Sequence, residues 1–171
     1  MTGIDQALLD NAIRLEVNYH RCRAGLGPLT YAGRNLATMA TKHSAWMAKT
    51  KKLSHFNTMP GLKSLGERVR ASGTSYRGAS ENIVKVHRYQ FNSSRFKTID
   101  RRRCQFARKG KLIPAHSYAS LARHSVDLWM DSAPHRRNIL SNKMNRMVVG
   151  VAFANSRKYC GEYWLTQDFI G

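Results

Sequence analysis

MVVGVAFANSRKYCGEYWLTQDF, residues 147–169, closes the chain and predicts two β-strands. Met147–Phe153 and Tyr163–Phe169 are rich in the β-branched and aromatic residues that favour strands. Between them, Asn155–Gly161 is rich in turn-forming and basic residues. Two strands joined by such a connection predict an antiparallel hairpin. We therefore expect a sheet that contains the C-terminal end of the chain.

Upstream of this hairpin, helical segments predominate. Apolar residues recur there at three- and four-residue steps, as expected for helices with one buried face. The clearest stripe runs from Arg34 to Lys49. The other expected elements are helices at 4–23, around Leu62–Val69, from Tyr118 onward and from Ser132 to Leu140, with a strand at Ile83–Val86 that begins near Glu81. Interspersed helices and strands without internal repeats predict an α/β layered domain.

Length and composition predict one domain with a basic surface. The 171 residues fit a single domain over 1–171, and a hydrophobic content of 42% is enough for a core without a disulfide scaffold. The net charge of +19 favours polyanionic partners, which include nucleic acid, acidic envelope polymers and anionic lipid. We expect no transmembrane segment, because no apolar run is long enough. The opening MTGIDQ lacks a signal-peptide pattern, so an exported form is expected to have lost its signal.

Much of the positive charge lies between Gln90 and Pro114, which carries eight basic residues and one acidic residue, Asp100. We interpret this segment as a basic surface loop. A solvated loop is the favoured interpretation, because no recognisable nucleic-acid motif accompanies the charge. The alternative is polyanion or nucleic-acid binding with Phe96 and Phe106 as stacking groups; its contact residues would be Arg101, Arg102, Arg103, Arg108, Lys109 and Lys111.

Three polar residues from distant segments form the best candidate site. His55 follows the second helix after its apolar stripe has ended, and Glu81 heads a strand. His135 lies behind Pro134 in the first turn of a helix, where the helix dipole favours a neutral imidazole. Such a trio suits a zinc site or an acid–base pair. His43 lies on the buried stripe of the second helix, so we expect it to be a hydrogen-bonded core residue.

No GxSxG, P-loop, HExxH or GxGxxG motif is present, which excludes the common hydrolase, nucleotide and zinc-protease signatures. The sequence instead resembles the CAP superfamily of cysteine-rich secretory, antigen-5 and pathogenesis-related proteins, and specifically its bacterial SCP-like branch. The resemblance covers most of the chain, and its pieces occur in the family's order: Asn18–Arg21 with Gly25–Leu29, Leu36–Ala48, Leu53–His55, Glu81–Ile83, Trp129–Arg136 with Asn138–Leu140, and Tyr163–Phe169.

The resemblance implies a single-domain α-β-α sandwich, with a mostly antiparallel sheet between helical layers. It also implies a secreted or periplasmic location and a cleft lined by two histidines, matched here by His55 and His135, with Glu81 as the cleft carboxylate. In some relatives the two histidines bind zinc or another divalent metal. Three departures stand out. Ser80 replaces the usual glycine before the glutamate, and Asp131-Ser132 stands where some members carry a second glutamate. The basic loop is longer than the connection typical of the bacterial branch, which implies an insertion at about residues 90–115.

Three functions follow from these features. The first, favoured over an enzyme, is a monomeric secreted or periplasmic module that holds a divalent metal or small ligand in the cleft and contacts an acidic envelope or host component through its basic surface. The second is a metal-assisted hydrolase that uses the same cleft, with zinc between the histidines and Glu81 as the base. The third is the polyanion or nucleic-acid binding described above. Whether His55, Glu81 and His135 are catalytic stays open at this point.

The three cysteines are too far apart for a CxxC motif and allow one intramolecular disulfide at most. Export would permit that disulfide, and Cys104 with Cys160 is the preferred pair because both lie in predicted surface connections. Cys22, at the end of the first helix, is expected to be a half-buried thiol. The remaining histidines have no identified partner and are expected at the surface: His20, His87, His116 and His124.

Overall fold

The computed structural model describes residues 3–91 and 95–171, so residues 92–94 of the predicted basic loop lie outside the described residues. Its helices are α1 Gln6–Arg23, α2 Arg34–Thr50, α3 Leu65–Ala71, α4 Tyr118–Asp131 and α5 Ala133–Ile139. Its strands are β1 Thr30–Tyr31, β2 Ala79–His87, β3 Lys97–Asp100, β4 Gln105–Arg108, β5 Lys111–Leu112, β6 Arg146–Ala154 and β7 Glu162–Ile170. Every predicted helix is present to within a few residues.

The main sheet has the strand order β1-β6-β7-β2. The C-terminal segment forms the predicted antiparallel hairpin of β6 and β7, in which Val151 lies opposite Leu165. β2 pairs with the other edge of β7, also antiparallel, whereas β1 pairs parallel with β6. The mostly antiparallel sheet is therefore confirmed, and β1 is an additional edge strand that is too short to leave a periodic signal in the sequence.

Helices cover both faces of this sheet, as expected for an α-β-α sandwich. On one face, α1 and α4 pack against alternate residues of the hairpin, and Trp129 of α4 is fully buried there. On the opposite face, α2 and α3 pack against the intervening residues, including Val148 of β6. Because successive side chains of a strand point to opposite faces, each strand of the hairpin contributes to both layers. The α/β class and the layered architecture are confirmed.

α2 lies unusually close to the sheet at Gly150 of β6. A Cβ atom at that position would stand 2.2 Å from the backbone carbonyl carbon of Ala40. The hydroxyl of Ser44 donates to the Gly150 carbonyl oxygen at 3.0 Å and lies 2.8 Å from the Thr166 hydroxyl. The glycine thus permits the close approach that lets α2 hydrogen-bond to the sheet.

The basic segment has more structure than the predicted loop. β3, β4 and β5 form a separate three-stranded sheet, which we call the basic lobe together with its connections, residues 95–115. The lobe has its own aromatic core, in which fully buried Phe106 meets the rings of Phe91 and Phe96 edge to face. The expectation of a mere loop was therefore wrong. Pairing between the strands brings aromatic side chains together, and their burial stabilises a small sheet.

The disulfide joins Cys104 of the lobe to Cys160 in the β6–β7 connection, as predicted. Two burial expectations were wrong. Cys22 is exposed rather than half-buried, because it lies on the outer side of α1. His116 is buried rather than at the surface: its ring stacks on His124 with ring centroids 5.4 Å apart and hydrogen-bonds to Ser120.

Candidate functional site

His55 and Glu81 are brought together where the loop after α2 reaches the start of β2. Lys51, the residue that follows α2, has a left-handed backbone (φ 58°) that redirects the chain. His55 Nδ1 then lies 2.8 Å from Glu81 Oε1, and the two side chains are 48% and 3% exposed, respectively. A carboxylate can only accept, so the imidazole donates its Nδ1–H. The hydrogen bond therefore fixes the tautomer in which His55 Nε2 carries a free lone pair.

The second oxygen of Glu81 is held by Arg68, a residue that the sequence did not single out. Arg68 of α3 is fully buried, and its Nη2 lies 2.5 Å from Glu81 Oε2. The same guanidinium donates to the His55 carbonyl oxygen at 3.4 Å and to the Leu62 carbonyl oxygen at 3.3 Å. Arg68 therefore fixes both the carboxylate and the loop that carries the histidine. A buried arginine needs such partners, because an unpaired charge in the interior is costly.

Glu81 is an ionised carboxylate in this setting. Burial by itself raises the pKa of Glu81, but the hydrogen bond from His55 and the charge of Arg68 outweigh it, so the pKa lies below its ordinary value. His43 is farther away, with its Nε2 at 3.9 Å from Glu81 Oε2. The hydrogen bond from His55 and the charge of Arg68 therefore stabilise the negative charge more than the interior destabilises it.

Asp168 is a second carboxyl group at this site and was not predicted as a site residue. It lies directly opposite Glu81 in the β2–β7 register and is fully buried. Neither of its oxygens has a donor among the described residues. Burial raises the pKa of Asp168 well above its ordinary value, and the adjacent negative charge of Glu81 raises it further. A protonated Asp168 can donate to Glu81, so one acid and one carboxylate share the site.

His43 of α2 holds the loop that carries His55. Its Nε2–H donates to the Ser54 carbonyl oxygen at 2.9 Å, and its Nδ1 accepts from the Asn57 side-chain amide at 3.0 Å. The prediction of a hydrogen-bonded core histidine is confirmed. Burial lowers the pKa of His43 to about 4, against a smaller opposite effect of Glu81. His43 is therefore neutral at neutral pH and positions the residue next to His55.

His135 reaches the same region from the other layer. It lies in the first turn of α5 and is partly buried. The Asn82 side chain donates to the His135 carbonyl oxygen at 3.2 Å, and Asn138 donates to the Glu81 carbonyl oxygen at 3.2 Å. α5 is therefore hydrogen-bonded to Glu81, which carries the carboxylate, and to its neighbour Asn82.

The electrostatic environment links the two predicted cleft histidines. Partial burial lowers the pKa of His135, and electrostatic repulsion from His55 lowers it further. Such repulsion acts only between groups that are near one another. His135 is therefore neutral at neutral pH, with one ring nitrogen available as an acceptor or ligand.

The donors available to a cation at this site are few. Within residues 3–91 and 95–171, no group of three or more His, Cys, Asp or Glu side chains is arranged to hold a metal ion. Glu81 is committed to His55 and Arg68 on its two oxygens, and Asp168 is buried. The direct protein donors are therefore two imidazoles, with water or a ligand needed to complete a coordination shell.

The predicted polyanion contacts differ in their accessibility. Arg101, Arg102 and Arg103 are exposed in a turn, and Lys109 and Lys111 are exposed as well. In contrast, the Arg108 guanidinium donates to the carbonyl oxygens of Gln90 and Phe91. Arg108 therefore also stabilises the lobe from within.

The proposed stacking role of Phe106 was wrong, because Phe106 is fully buried. Phe96 is partly buried, and one face of its ring stacks on Phe91 with ring centroids 4.2 Å apart. A nucleic-acid base therefore cannot stack on Phe106. The sequence showed the aromatic residues but could not show that they pack against one another.

The sequence matches the model of the cysteine-rich secretory protein (CAP) family over residues 15–169. This match spans most of the chain, and the chain belongs to the CAP family. No curated protein matches it significantly. Among the described helices, none combines the length and the apolar character needed to cross a bilayer.

Solved structures of bacterial proteins share the fold. An extracellular SCP-domain protein from Bacillus anthracis superposes with a TM-score of 0.62 at 22% identity, covering 96% of this chain and 41% of that chain. An outer surface protein from Borrelia burgdorferi gives 0.61 at 10% identity, with 100% of both chains covered. A cysteine-rich secretory protein from Staphylococcus aureus gives 0.54 at 14% identity, covering 98% and 40%. This chain thus spans about two fifths of the Bacillus and Staphylococcus proteins.

Proposed function

We propose that this CAP domain is a ligand-binding module of a secreted or cell-surface protein, whose cleft binds a divalent cation such as zinc, or a small ligand, through His55 and His135. The observation that carries this proposal is the fixed geometry of Glu81, which is held on both oxygens while His55 Nε2 is left free. The extracellular and outer surface descriptions of the structural relatives support the location.

The Glu81–His55 pair suits a metal ligand. Histidines that bind metals commonly donate their other ring N–H to a carboxylate, which fixes the tautomer and raises the basicity of the ligating nitrogen. His55 meets this condition through its 2.8 Å hydrogen bond to Glu81. His135 supplies a second neutral ring, because its pKa is lowered by partial burial. A cation held by these two nitrogens would offer open coordination positions to a carboxylate or carbonyl oxygen of a ligand.

The same geometry disfavours the hydrolase alternative. A general base must lie within hydrogen-bonding reach of the water that it activates. Glu81 uses both oxygens on protein partners, and Asp168 is fully buried, away from solvent. Neither carboxyl group is placed to take a proton from water, so a binding role fits the site better than catalysis.

The charge of the molecule supports an acidic partner. The net charge is +19, and part of it is displayed on the basic lobe, away from the cleft. A surface of this sign attracts anionic polymers and surfaces over several ångströms. We therefore propose that the module contacts an acidic envelope or host component while the cleft holds its ligand.

Zinc titration followed by NMR of the histidine ring protons tests the cleft. At pH 7 we expect zinc to shift the resonances of His55 and His135, whereas those of His20 stay unchanged. His135→Ala should weaken zinc binding at least tenfold, and Glu81→Gln should weaken it about 10–100-fold through the loss of orientation. His20→Ala is the matched control. If zinc shifts neither cleft histidine, or if a His55→Ala/His135→Ala variant binds as tightly as the wild type, the metal proposal is wrong.

A further inference from the structure

The outer face of the basic lobe carries exposed apolar side chains. Lys97, Ala107 and Leu112 lie side by side across β3, β4 and β5, on the face opposite to buried Phe106. Leu112 is 65% exposed, and Ile99, at an irregularity in β3, is 58% exposed. Two large apolar residues are thus displayed on one small sheet. They are not part of the aromatic core beneath it.

The lobe that carries these apolar residues is strongly cationic. Lys97 lies on the same face as Leu112, whereas Lys111, which pairs with Arg108, is on the other face. Lys109 and the turn Arg101–Arg103 are exposed in the same lobe. Its one acidic residue, Asp100, accepts from the backbone N–H groups of Arg102 and Arg103, and it offsets only one of the positive charges. The lobe thus combines exposed apolar side chains with a strong positive charge.

The lobe is held in one shape. The disulfide from Cys104 to Cys160 fixes the end of the arginine turn to the β6–β7 connection. Beneath the sheet, the rings of Phe91 and Phe106 meet edge to face with centroids 5.0 Å apart. A preformed surface loses little conformational entropy on binding. The most exposed apolar side chains of the lobe, Ile99 and Leu112, are aliphatic.

We propose that this face docks on an anionic lipid bilayer, with Ile99 and Leu112 entering the headgroup region and the cations of the lobe contacting lipid phosphates. This inference rests on the acidic partner proposed above and names its class. Exposed apolar residues together with cations are the combination that binds interfacial membranes, through apolar burial plus attraction to anionic lipids. A soluble polyanion would need the cations alone and leaves Ile99 and Leu112 without a role.

The position of the lobe leaves the cleft accessible. β2 carries Glu81 near its start and leads into the lobe after His87. Six residues of extended chain separate these two positions by about 20 Å. The docked lobe therefore contacts the membrane near one end of β2, and the cleft lies near the other end.

Vesicle co-sedimentation of the full chain tests the inference. We expect binding to vesicles of phosphatidylcholine with 30% phosphatidylglycerol and none to phosphatidylcholine alone. Ile99→Gln/Leu112→Gln, which keeps the charge, should weaken binding about tenfold, because partial burial of two aliphatic side chains is lost. Leu8→Gln/Leu15→Gln, two exposed leucines of α1, is the matched control and should bind like the wild type. Arg101→Ala/Arg102→Ala/Arg103→Ala should weaken binding on the order of a hundredfold, at about fivefold per cation.

Two outcomes would overturn the inference. If the Ile99/Leu112 variant keeps wild-type vesicle affinity while the triple arginine variant loses it, and heparin competes for both, the partner is a soluble polyanion. If the Leu8/Leu15 control loses as much affinity as the Ile99/Leu112 variant, the lobe is not the docking face. His55→Ala/His135→Ala, measured in parallel, should lose zinc and keep vesicle binding. Failure of the cleft proposal is thereby distinguished from failure of this one.

Discussion

Replacing Glu81 by glutamine tests whether the ion pair at the site is the buried, charge-compensating contact that the structure shows. Arg68 is fully buried, and Glu81 is its only carboxylate partner at 2.5 Å among the described residues. Removing one member of a buried pair leaves the other charge uncompensated, which costs about 3–5 kcal/mol. Glu81→Gln keeps the shape of the side chain, so we expect a loss of about 3 kcal/mol in the free energy of unfolding.

Urea unfolding at pH 7, followed by tryptophan fluorescence, measures this loss by linear extrapolation. Glu162→Gln is the matched control, because Glu162 pairs at 3.5 Å with Lys85, whose side chain is 40% exposed. That variant should lose less than about 1 kcal/mol. If Glu81→Gln is no more destabilised than Glu162→Gln, the buried pair does not stabilise the fold as argued.

A substitution at Asp168 gives a second test of the charges at this site. Burial raises the pKa of Asp168 and thereby favours its neutral form, so we expect Asp168→Asn to remove little charge and to change the free energy of unfolding by less than about 1 kcal/mol. If Asp168 were ionised, the substitution would relieve its repulsion with Glu81 and stabilise the protein. In the Glu81→Gln variant, Asp168 is free to ionise and compensate Arg68 in part. The double variant should therefore lose more stability than the sum of the two single variants.

Three further predictions concern the scaffold. Gly150→Ala should cost about 2–3 kcal/mol in urea unfolding, because its Cβ would meet the α2 backbone; wild-type stability would show that α2 shifts freely. Burial and the charge of His124 lower the pKa of His116 to about 4, so the folded state binds fewer protons than the unfolded state below pH 6.5. The free energy of unfolding should fall by up to about 3 kcal/mol between pH 6.5 and 4, and His116→Gln should reduce this fall. Replacing Cys104 and Cys160 by serine, 56 residues apart, should cost about 2–4 kcal/mol; an unchanged midpoint would contradict this.

The predictable part of the fold is the part with local periodicity. The stripe of α2 and the alternation in β6 and β7 can be found by counting, because a buried face imposes a period of 3.6 or 2. The same method does not detect β3, β4 and β5, because they are short. They are stabilised by the packing of Phe106 against aromatic rings that are distant in the sequence.

The candidate site was likewise only partly predictable from the sequence. The ordered CAP motifs drew attention to His55, Glu81 and His135, and the structure brings His55 into contact with Glu81. Asp168 belongs to one of those motifs, yet its proximity to Glu81 follows from the register between β2 and β7. A shift of one residue in that register would turn Asp168 to the other face of the sheet. No local pattern fixes it.

The sequence by itself determined the class of the protein, its helices and C-terminal hairpin and its positive charge, and it supplied three candidate cleft residues, because these depend on composition, local periodicity and motif order. The tertiary structure alone decided that Arg68 and Asp168 flank Glu81, that the aromatic rings of the basic lobe are buried, and that Ile99 and Leu112 remain exposed. Burial and cross-strand register depend on residues far apart in the chain. They set the charge state of the carboxyl groups and the surface offered to a partner.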